Sequence, residues 1–429
     1  MTESTDLIVL WRAIVQAGGI PAWVDAQLAA RNLLVTRRDT KEMSERELEG
    51  YKKDLKTEAE ERRKLRKQAW QAYKANHVVH LGDGVFWSDA AGPDRWDLAH
   101  PEERAAENEL PPLDSPQQLA EALGLTVAQV RWLAYHRDAA THLHYRRFVI
   151  PKRGGGERAI WAPMPKLKAA QHWVLRNIAE KLPVHGAVHG FLPGRSTLTN
   201  ASQHTDARLV VKMDVKDFFP TVTLQRVKGI FRKAGYREQV ATLLALLCTE
   251  APREVVEHDG QTYYVSLGPR CLPQGAPTSP ALTNTLCLRL DRRLSGLAKR
   301  LGWRYTRYAD DLTLSLPTSH QGKPHLGTLM GLVRRVVEAE GFRLHPEKTR
   351  VHRRGGRQQV TGLVVNGAGA PRVPRALRRR LRAAAHNLSR GKPPREGETA
   401  ASLHGYAAYV YMTDPKAGEK LLAAFGQTL

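Results

Sequence analysis

Two aspartates stand side by side in an otherwise alternating, largely apolar stretch: residues 304–316 read RYTRYADDLTLSL, with Asp310 and Asp311 at the centre. The flanking alternation predicts two strands meeting in a tight hairpin that presents both carboxylates at its tip. Adjacent anions repel, so the arrangement calls for a divalent cation with a preference for oxygen ligands, and such a site needs at least one more carboxylate. The best candidate is in LVVKMDVKDFFPTV, where the apolar run Leu209 to Val211 leads into Asp214 at a strand end. Asp214, Asp310 and Asp311 would then hold two Mg²⁺ ions, a pair able to activate a 3′ hydroxyl and to stabilise a pyrophosphate leaving group. Asp217, followed by Pro220, reads as a helix cap rather than a ligand.

The elements that must position these acids sit in a chain of 429 residues, long enough for two or three domains and a large core. Lys and Arg number 66 against 43 Asp and Glu, a formal net charge of +23 that points to a polyanionic partner, most often nucleic acid. Cys248, Cys271 and Cys287 lie far apart without metal-ligand spacing, which argues against a disulfide framework and against structural zinc. The apolar run LIVLWRAIV near the N-terminus is too short to span a bilayer, contains Arg12 and follows Glu3 and Asp6, so neither a membrane partner nor secretion is expected and the cytoplasm is the expected location.

Residues 41–70 hold ten basic and eight acidic residues with Leu48, Tyr51, Leu55 and Leu65 at roughly helical spacing. A long charged helix is predicted there, either a solvated helix or an RNA-binding one. Residues 82–115, rich in Gly, Pro and Asp, read as a loop or linker. After it, Ser115 and Thr126 are placed to cap two short helices around Gly124, a pattern shared by DNA-binding helix-turn-helix units and by ordinary helix pairs, the second being preferred. Short strands and helices alternate from about Tyr145 to Asn366. From Pro371 to Arg395 there are nine basic residues and no acid, while Val373, Leu377, Leu381, Ala384 and Leu388 mark an apolar stripe on the opposite helical face.

Taken in order, the YADD of residues 308–311 and KMDVKDFFP about ninety residues earlier resemble the two metal-binding motifs of reverse transcriptases. LPQGAPTSPALTN, residues 272–284, resembles the family's template- and nucleotide-positioning motif, with Gln274 offering an amide and Gly275 allowing close approach to a base or sugar. FVIPKRGGGERAIWAP resembles the fingers strands, whose Lys152 and Arg158 would hold a triphosphate, and GFRLHPEKTRV resembles the motif in which Lys348 approaches pyrophosphate. The resemblance implies a metal-binding set of Asp214, Val215, Asp310 and Asp311, and a steric role for Phe219 in excluding a ribose 2′ hydroxyl, a role compatible with a place in the core. The fold implied is α+β, a right-hand polymerase: a helical N-terminal extension over residues 1–114, fingers and palm with a small antiparallel sheet over 115–366, and a basic helical thumb over 367–429.

Two smaller motifs narrow the resemblance to bacterial retron reverse transcriptases. NASQH, with Asn200 and His204, is similar to their NAxxH motif, and VTGLVVN, with Val360, Thr361 and Gly362, to their VTG motif. Each also has an ordinary reading, His204 as a satisfied structural histidine and residues 360–362 as a β-turn. By resemblance, these motifs and Arg375, Arg378, Arg379 and Arg382 are expected to contact RNA or DNA. The enzymes resembled copy their own structured noncoding RNA from the 2′ hydroxyl of an internal guanosine, consume dNTPs, and leave branched RNA-linked single-stranded DNA (msDNA). Many act in antiphage defence with an effector, here expected to be separately encoded. The alternatives are a group II intron-like or other bacterial reverse transcriptase, which the roughly 63 residues after Asn366 would leave without room for a maturase region and an endonuclease, and a non-catalytic RNA-binding protein on the same fold. A viral-type RNA-dependent RNA polymerase would usually carry GDD.

Overall fold

Apolar residues recurring at three- and four-residue intervals wind the first part of the chain into helices, and a run of alternating strands follows. The computed structural model describes residues 2–41, 43–82, 84–85, 101–137, 144–151, 155–367, 369–395 and 397–426. In chain order the first elements are α1 (Thr2–Gln16), α2 (Ile20–Ala30), α3 (Glu45–Asn76), α4 (Pro101–Glu107), α5 (Pro116–Ala122), α6 (Val127–Ala134), β1 (Tyr145–Pro151), β2 (Glu157–Pro163) and α7 (Pro165–Asn177). Next come α8 (Thr197–Ser202), β3 (Ala207–Asp214), α9 (Leu224–Lys233), α10 (Glu238–Cys248), β4 (Arg253–His258), β5 (Gln261–Ser266), α11 (Ser279–Leu286) and α12 (Leu288–Arg300). The last are β6 (Arg304–Tyr308), β7 (Asp311–Pro317), α13 (Leu326–Ala339), β8 (Arg350–Arg353), β9 (Gln359–Val360), β10 (Leu363–Val364), α14 (Arg375–Ser389), α15 (Ala400–Tyr411) and α16 (Pro415–Gly426). This mixture of helices and small antiparallel sheets is an α+β fold.

The chain divides into two compact units. One comprises Met1–Arg146, Pro163–Trp173 and Phe231–Arg270, the other Arg147–Ala162, Val174–Ile230 and Cys271–Leu429. In the first, α1 and α2 bury Ile14, Trp23, Val24 and Leu28 with Leu65, Ala69 and Ala72 of α3. Among the described residues no single helix is long and apolar enough to cross a membrane; residues 6–16 and 20–30 reach that composition only as a pair bent by 96°. Ser44 opens α3 with a capping box closed by Glu47. The stretch 82–115 is not loop throughout, because Pro101 at a helix start and Glu102 and Glu103 in the first turn suit an N-terminus and form α4. Ser115 and Thr126 cap α5 and α6 as expected, and Gly124 turns between them with φ +65°.

The second unit is organised by a four-stranded antiparallel sheet in the order β6-β7-β3-β8. Its register sets Asp214 opposite Asp311, Lys212 opposite Thr313, and Val210 opposite Ser315. Period-two alternation then gives the sheet two chemically different faces. Leu209, Val211, Met213, Leu312, Leu314 and Leu316 are buried, and on their face Tyr305 and Arg307 of β6 reach Asp291 of α12. Arg307 Nη2 donates to Asp291 Oδ2 at 2.8 Å and Nε to Oδ1 at 2.9 Å, with both side chains fully buried. The same guanidinium donates from Nη1 to Asn284 Oδ1 at 3.0 Å and to the Ala309 carbonyl at 3.2 Å, so one buried ion pair holds α11, α12 and the β6–β7 turn together. The other face carries the acids.

Around that sheet, α14 to α16 pack on α8, β3 and the β9–β10 pair through Val210, Val360, Leu363, Val373, Leu381, Leu403, Val410, Leu421 and Phe425. The expected apolar stripe of α14 is this contact, and Arg375, Arg379 and Arg382 are exposed on its outer side. Cys248, Cys271 and Cys287 are all free and buried.

Asp291→Ala would leave the Arg307 charge buried and unpaired. The expected loss is about 3–5 kcal/mol, read as a shift of the urea midpoint of the sheet-bearing unit; an unchanged midpoint would show that the pair holds nothing in place.

Candidate active site

Tyr308 pairs with Asp311 across β6 and β7, leaving Ala309 and Asp310 as a two-residue turn. Ala309 has φ +55°, the left-handed conformation that such short hairpins use to match strand twist. A Cβ on Gly190 would lie 2.8 Å from the Ala309 nitrogen, so a glycine there lets residues 187–190 lie directly against the turn. The Val215 N–H donates to the Asp310 carbonyl at 2.9 Å, and the His345 N–H to the Asp214 carbonyl at 2.7 Å. These two hydrogen bonds and the close approach of residues 187–190 thus fix the backbones that carry Asp214, Asp310 and Asp311 at adjacent strand ends.

The cluster is electrostatically costly in this form. Burial, together with the carboxylates of Asp214 and Asp311, pushes the Asp310 acid up to about 6. Burial also raises Asp311, opposed by the ammonium of Lys212 at 3.8 Å, while Asp214 raises it further. Lys348 supplies a second cation, its Nζ donating to Asp214 Oδ1 at 2.8 Å. Among the described residues no three ligating side chains already form a closed cage for a metal ion. The donor set nonetheless suits a hard divalent cation: three carboxylates at adjacent strand ends, and a lysine ammonium already seated beside one of them. Beside them is a cavity of about 330 Å³ lined by Lys212, Asp214, Asp311, Lys348, Arg350, His352, Gln359 and Gly362. Lys212, Arg350 and His352 were not singled out in the sequence; their signal is strand alternation, which puts Lys212 in phase with Asp214 and Arg350 with His352.

Other expected residues fall in varied places. Phe218 is the buried member of its pair, packed on Phe342 with ring centroids 5.6 Å apart, and Phe219 beside it is only partly buried. Asp217 caps no helix. It takes φ +47°, and its carbonyl accepts the Thr221 N–H and hydroxyl in a turn, with α9 starting later at Leu224. Arg158 is exposed on β2, and Lys152 lies outside the described residues. Gly275 has φ +120° and a Cβ there would meet Trp161 O at 2.9 Å, so its close approach is to β2, where the Trp161 N–H also donates to the Gln274 carbonyl.

Asn200, His204 and Val360, expected to contact nucleic acid, are all fully buried. His204 bridges Ser315 Oγ and Thr306 Oγ1, each at 2.7 Å, and burial lowers its pKa to about 3, so it is a neutral tie between α8 and the sheet. Asn200 Nδ2 reaches Thr361 Oγ1 at 3.5 Å, Thr361 donates to the Thr197 carbonyl at 2.9 Å, and Thr361 itself has φ +43°. A Cβ at Gly362 would lie 2.7 Å from the Tyr409 hydroxyl. Asn200 of NASQH and Thr361 and Gly362 of VTG therefore meet in one internal contact between α8, the β9–β10 turn and α15.

Residues 150–367, about half the chain, match the family model described as reverse transcriptase (RNA-dependent DNA polymerase). The fold and the acidic strand ends thus belong to a template-copying polymerase of the reverse transcriptase family. Similarity extends well beyond that segment. The chain is 55% identical to Retron Mx162 reverse transcriptase of Myxococcus xanthus over 97% of its own length and 88% of the relative's. It is 45% identical to Retron Mx65 reverse transcriptase of the same organism (76% and 74%) and 31% identical to Retron Ec86 reverse transcriptase of Escherichia coli (73% and 89%). The chain belongs to the bacterial retron reverse transcriptases and is an RNA-directed DNA polymerase.

A raised carboxyl pKa means that the folded chain binds the Asp310 proton more tightly than the unfolded chain, so stability falls as pH rises from the ordinary 3.8 through about 6. In metal-free buffer Asp310→Asn is expected to raise Tm by several degrees at about pH 7.5 and to make little difference at about pH 4. Equal shifts at both pH values in a thermal scan would rule out charge as the cause.

Proposed function

We propose that this enzyme makes msDNA: it binds its own structured noncoding RNA, starts DNA synthesis at the 2′ hydroxyl of an internal guanosine, and copies part of the RNA into single-stranded DNA left attached by a branch. The observation that carries this reading is the pairing of Asp214 with Asp311 beside Asp310 in a chain that aligns over 97% of its length with a retron enzyme. Residues 115–366 are read as fingers and palm, with the four-stranded sheet as the palm floor, residues 367–429 as the thumb, and residues 1–114 as an N-terminal extension. The enzyme is read as working in the cytoplasm, in antiphage defence, with a separately encoded effector.

In this reading Asp214, Asp310 and Asp311, with Val215 adjoining, form the oxygen-rich face that would hold two Mg²⁺ ions. When bound, the ions supply Lewis acidity at the attacking hydroxyl and neutralise charge on the leaving pyrophosphate. Lys348 stands where its ammonium can pass from Asp214 to an incoming phosphate, and Arg158 of β2, together with Lys152, would hold the triphosphate. Gln274 and Gly275, tied to β2 by backbone contact, align the nucleotide side of the site. Phe219, outside the packed position taken by Phe218, would stand against the sugar at C2′. Arg375, Arg378, Arg379 and Arg382 line α14 at a spacing suited to phosphates, and the buried NAxxH–VTG contact supports that helical unit from beneath.

Expression of the gene with several hundred flanking bases, followed by sequencing of copurified nucleic acid with and without debranching enzyme, tests the reading. A short DNA joined 2′–5′ to a structured RNA is expected from wild type, and RNA without DNA from the Asp310→Asn, Asp311→Asn double variant. Extension of an ordinary primer with no branched DNA would keep the polymerase and overturn the msDNA route. Phe219→Ala is expected to raise ribonucleotide incorporation by at least tenfold, about 1.4 kcal/mol of lost discrimination; unchanged sugar selection in single-turnover assays would leave Phe219 a packing residue.

A further inference from the structure

Helix α3 changes character along its length. Its first half mixes charges, and around its middle Arg62 pairs with Asp25 and Glu58, and Lys64 with Glu61. From Arg62 to Asn76 it carries Arg62, Arg63, Lys64, Arg66, Lys67 and Lys74 and no acid. Arg63, Arg66 and Lys67 are exposed and have no carboxylate partner among the described residues. In the same segment three rings form a column: Trp70 stacks on Tyr73 with centroids 5.2 Å apart and planes within 7°, and Tyr73 stacks on His77 at 4.1 Å and 8°. Trp11 closes the inner side edge-on to both Tyr73 and His77, at 5.3 and 4.9 Å. Trp70, the outer ring, is 46% exposed.

This arrangement is unusual for a helix that only packs on its neighbours. The core of this unit is supplied by Leu65, Ala69 and Ala72 on another face of α3, so Trp70 adds nothing to it. Lys67 and Lys74 lie three before and four after Trp70, and Arg63 and Arg66 continue the row, so cations flank the exposed ring along about 16 Å of helix. A preformed aromatic column with an open end, set in a strip of unpaired cations, has the two parts that single-stranded nucleic acid needs: a surface on which a base can stack and charges that follow its phosphates. Duplex would offer no free base face. We infer that Trp70, with Arg63, Arg66, Lys67 and Lys74, is a binding site for single-stranded nucleic acid, in which an unpaired base extends the Trp70–Tyr73–His77 column. The site is independent of the polymerase chemistry.

The test uses the full chain, fluorescence anisotropy with labelled oligouridine, oligothymidine and a blunt DNA duplex, and photocrosslinking of the two single strands carrying 5-iodouracil. Trp70→Ala is expected to weaken single-strand binding at least fivefold, the loss of one stacked base, with Trp70→Phe retaining most affinity and duplex binding unchanged. Replacing Arg63, Arg66 and Lys67 by Ala is expected to lower the single-strand salt slope by about two units, at roughly 0.7 per phosphate contact. A loss confined to oligouridine assigns the site to RNA, one confined to oligothymidine assigns it to DNA, and a crosslink to the peptide holding Trp70 supports either. Wild-type affinity of Trp70→Ala for both strands, or crosslinks that never include that peptide, would overturn the inference. Trp70 is exposed, and an unchanged Tm of Trp70→Ala secures the comparison.

Discussion

A buried charge pair is what the acidic site rests on. Arg307 and Asp291 are both withdrawn from water, and each satisfies the other along with Asn284, Tyr305 and the Ala309 carbonyl. Such a pair gains little over apolar packing but is costly to break, and so it enforces geometry more than it adds stability. Here the geometry enforced is that of the β6–β7 turn, whose tip must bring like charges together. The repulsion among Asp214, Asp310 and Asp311 would otherwise open a two-residue turn; the hydrogen bonds beneath it give the turn no alternative position.

The sheet divides labour between its faces. Leucines, valines and the ion pair hold one side, and the other is polar from His204 through Thr313 to the acids. His204 belongs to this logic: kept neutral by burial, it joins two strands through hydroxyls without adding charge near the carboxylates. Lys212 and Lys348 are the only charges opposing them in direct contact among the described residues. That partial compensation leaves the acidic strand ends with a net appetite for cations.

The acids were legible because they break a pattern: an alternating strand with two adjacent charges has no comfortable solvent-free explanation, and Asp214 ends an apolar run. The α+β class, the capped helices at Ser115 and Thr126, and the amphipathic α14 were legible from periodicity. Other features needed the third dimension. Arg307 looked like one more arginine in a basic chain, yet Asp291 shares the buried stripe of α12 with Leu294 and Ala298, an out-of-place acid that was the available signal. Gly275 was read as making room for a ligand, and the room is taken by β2, because a glycine in sequence shows that something approaches but not what. Asp217 followed by Pro220 resembles a cap, but its left-handed backbone turns the chain before the helix begins.

The contact between Asn200 and Thr361 spans 161 positions in the chain and joins the two short motifs that resemble those of retron enzymes. Seen this way the motifs are two halves of one joint, sharing Thr197, Tyr409 and the strained Thr361 turn. Loss of either half would leave polar groups of the other buried without their partner and loosen the tie between α8, the β9–β10 turn and the C-terminal helices.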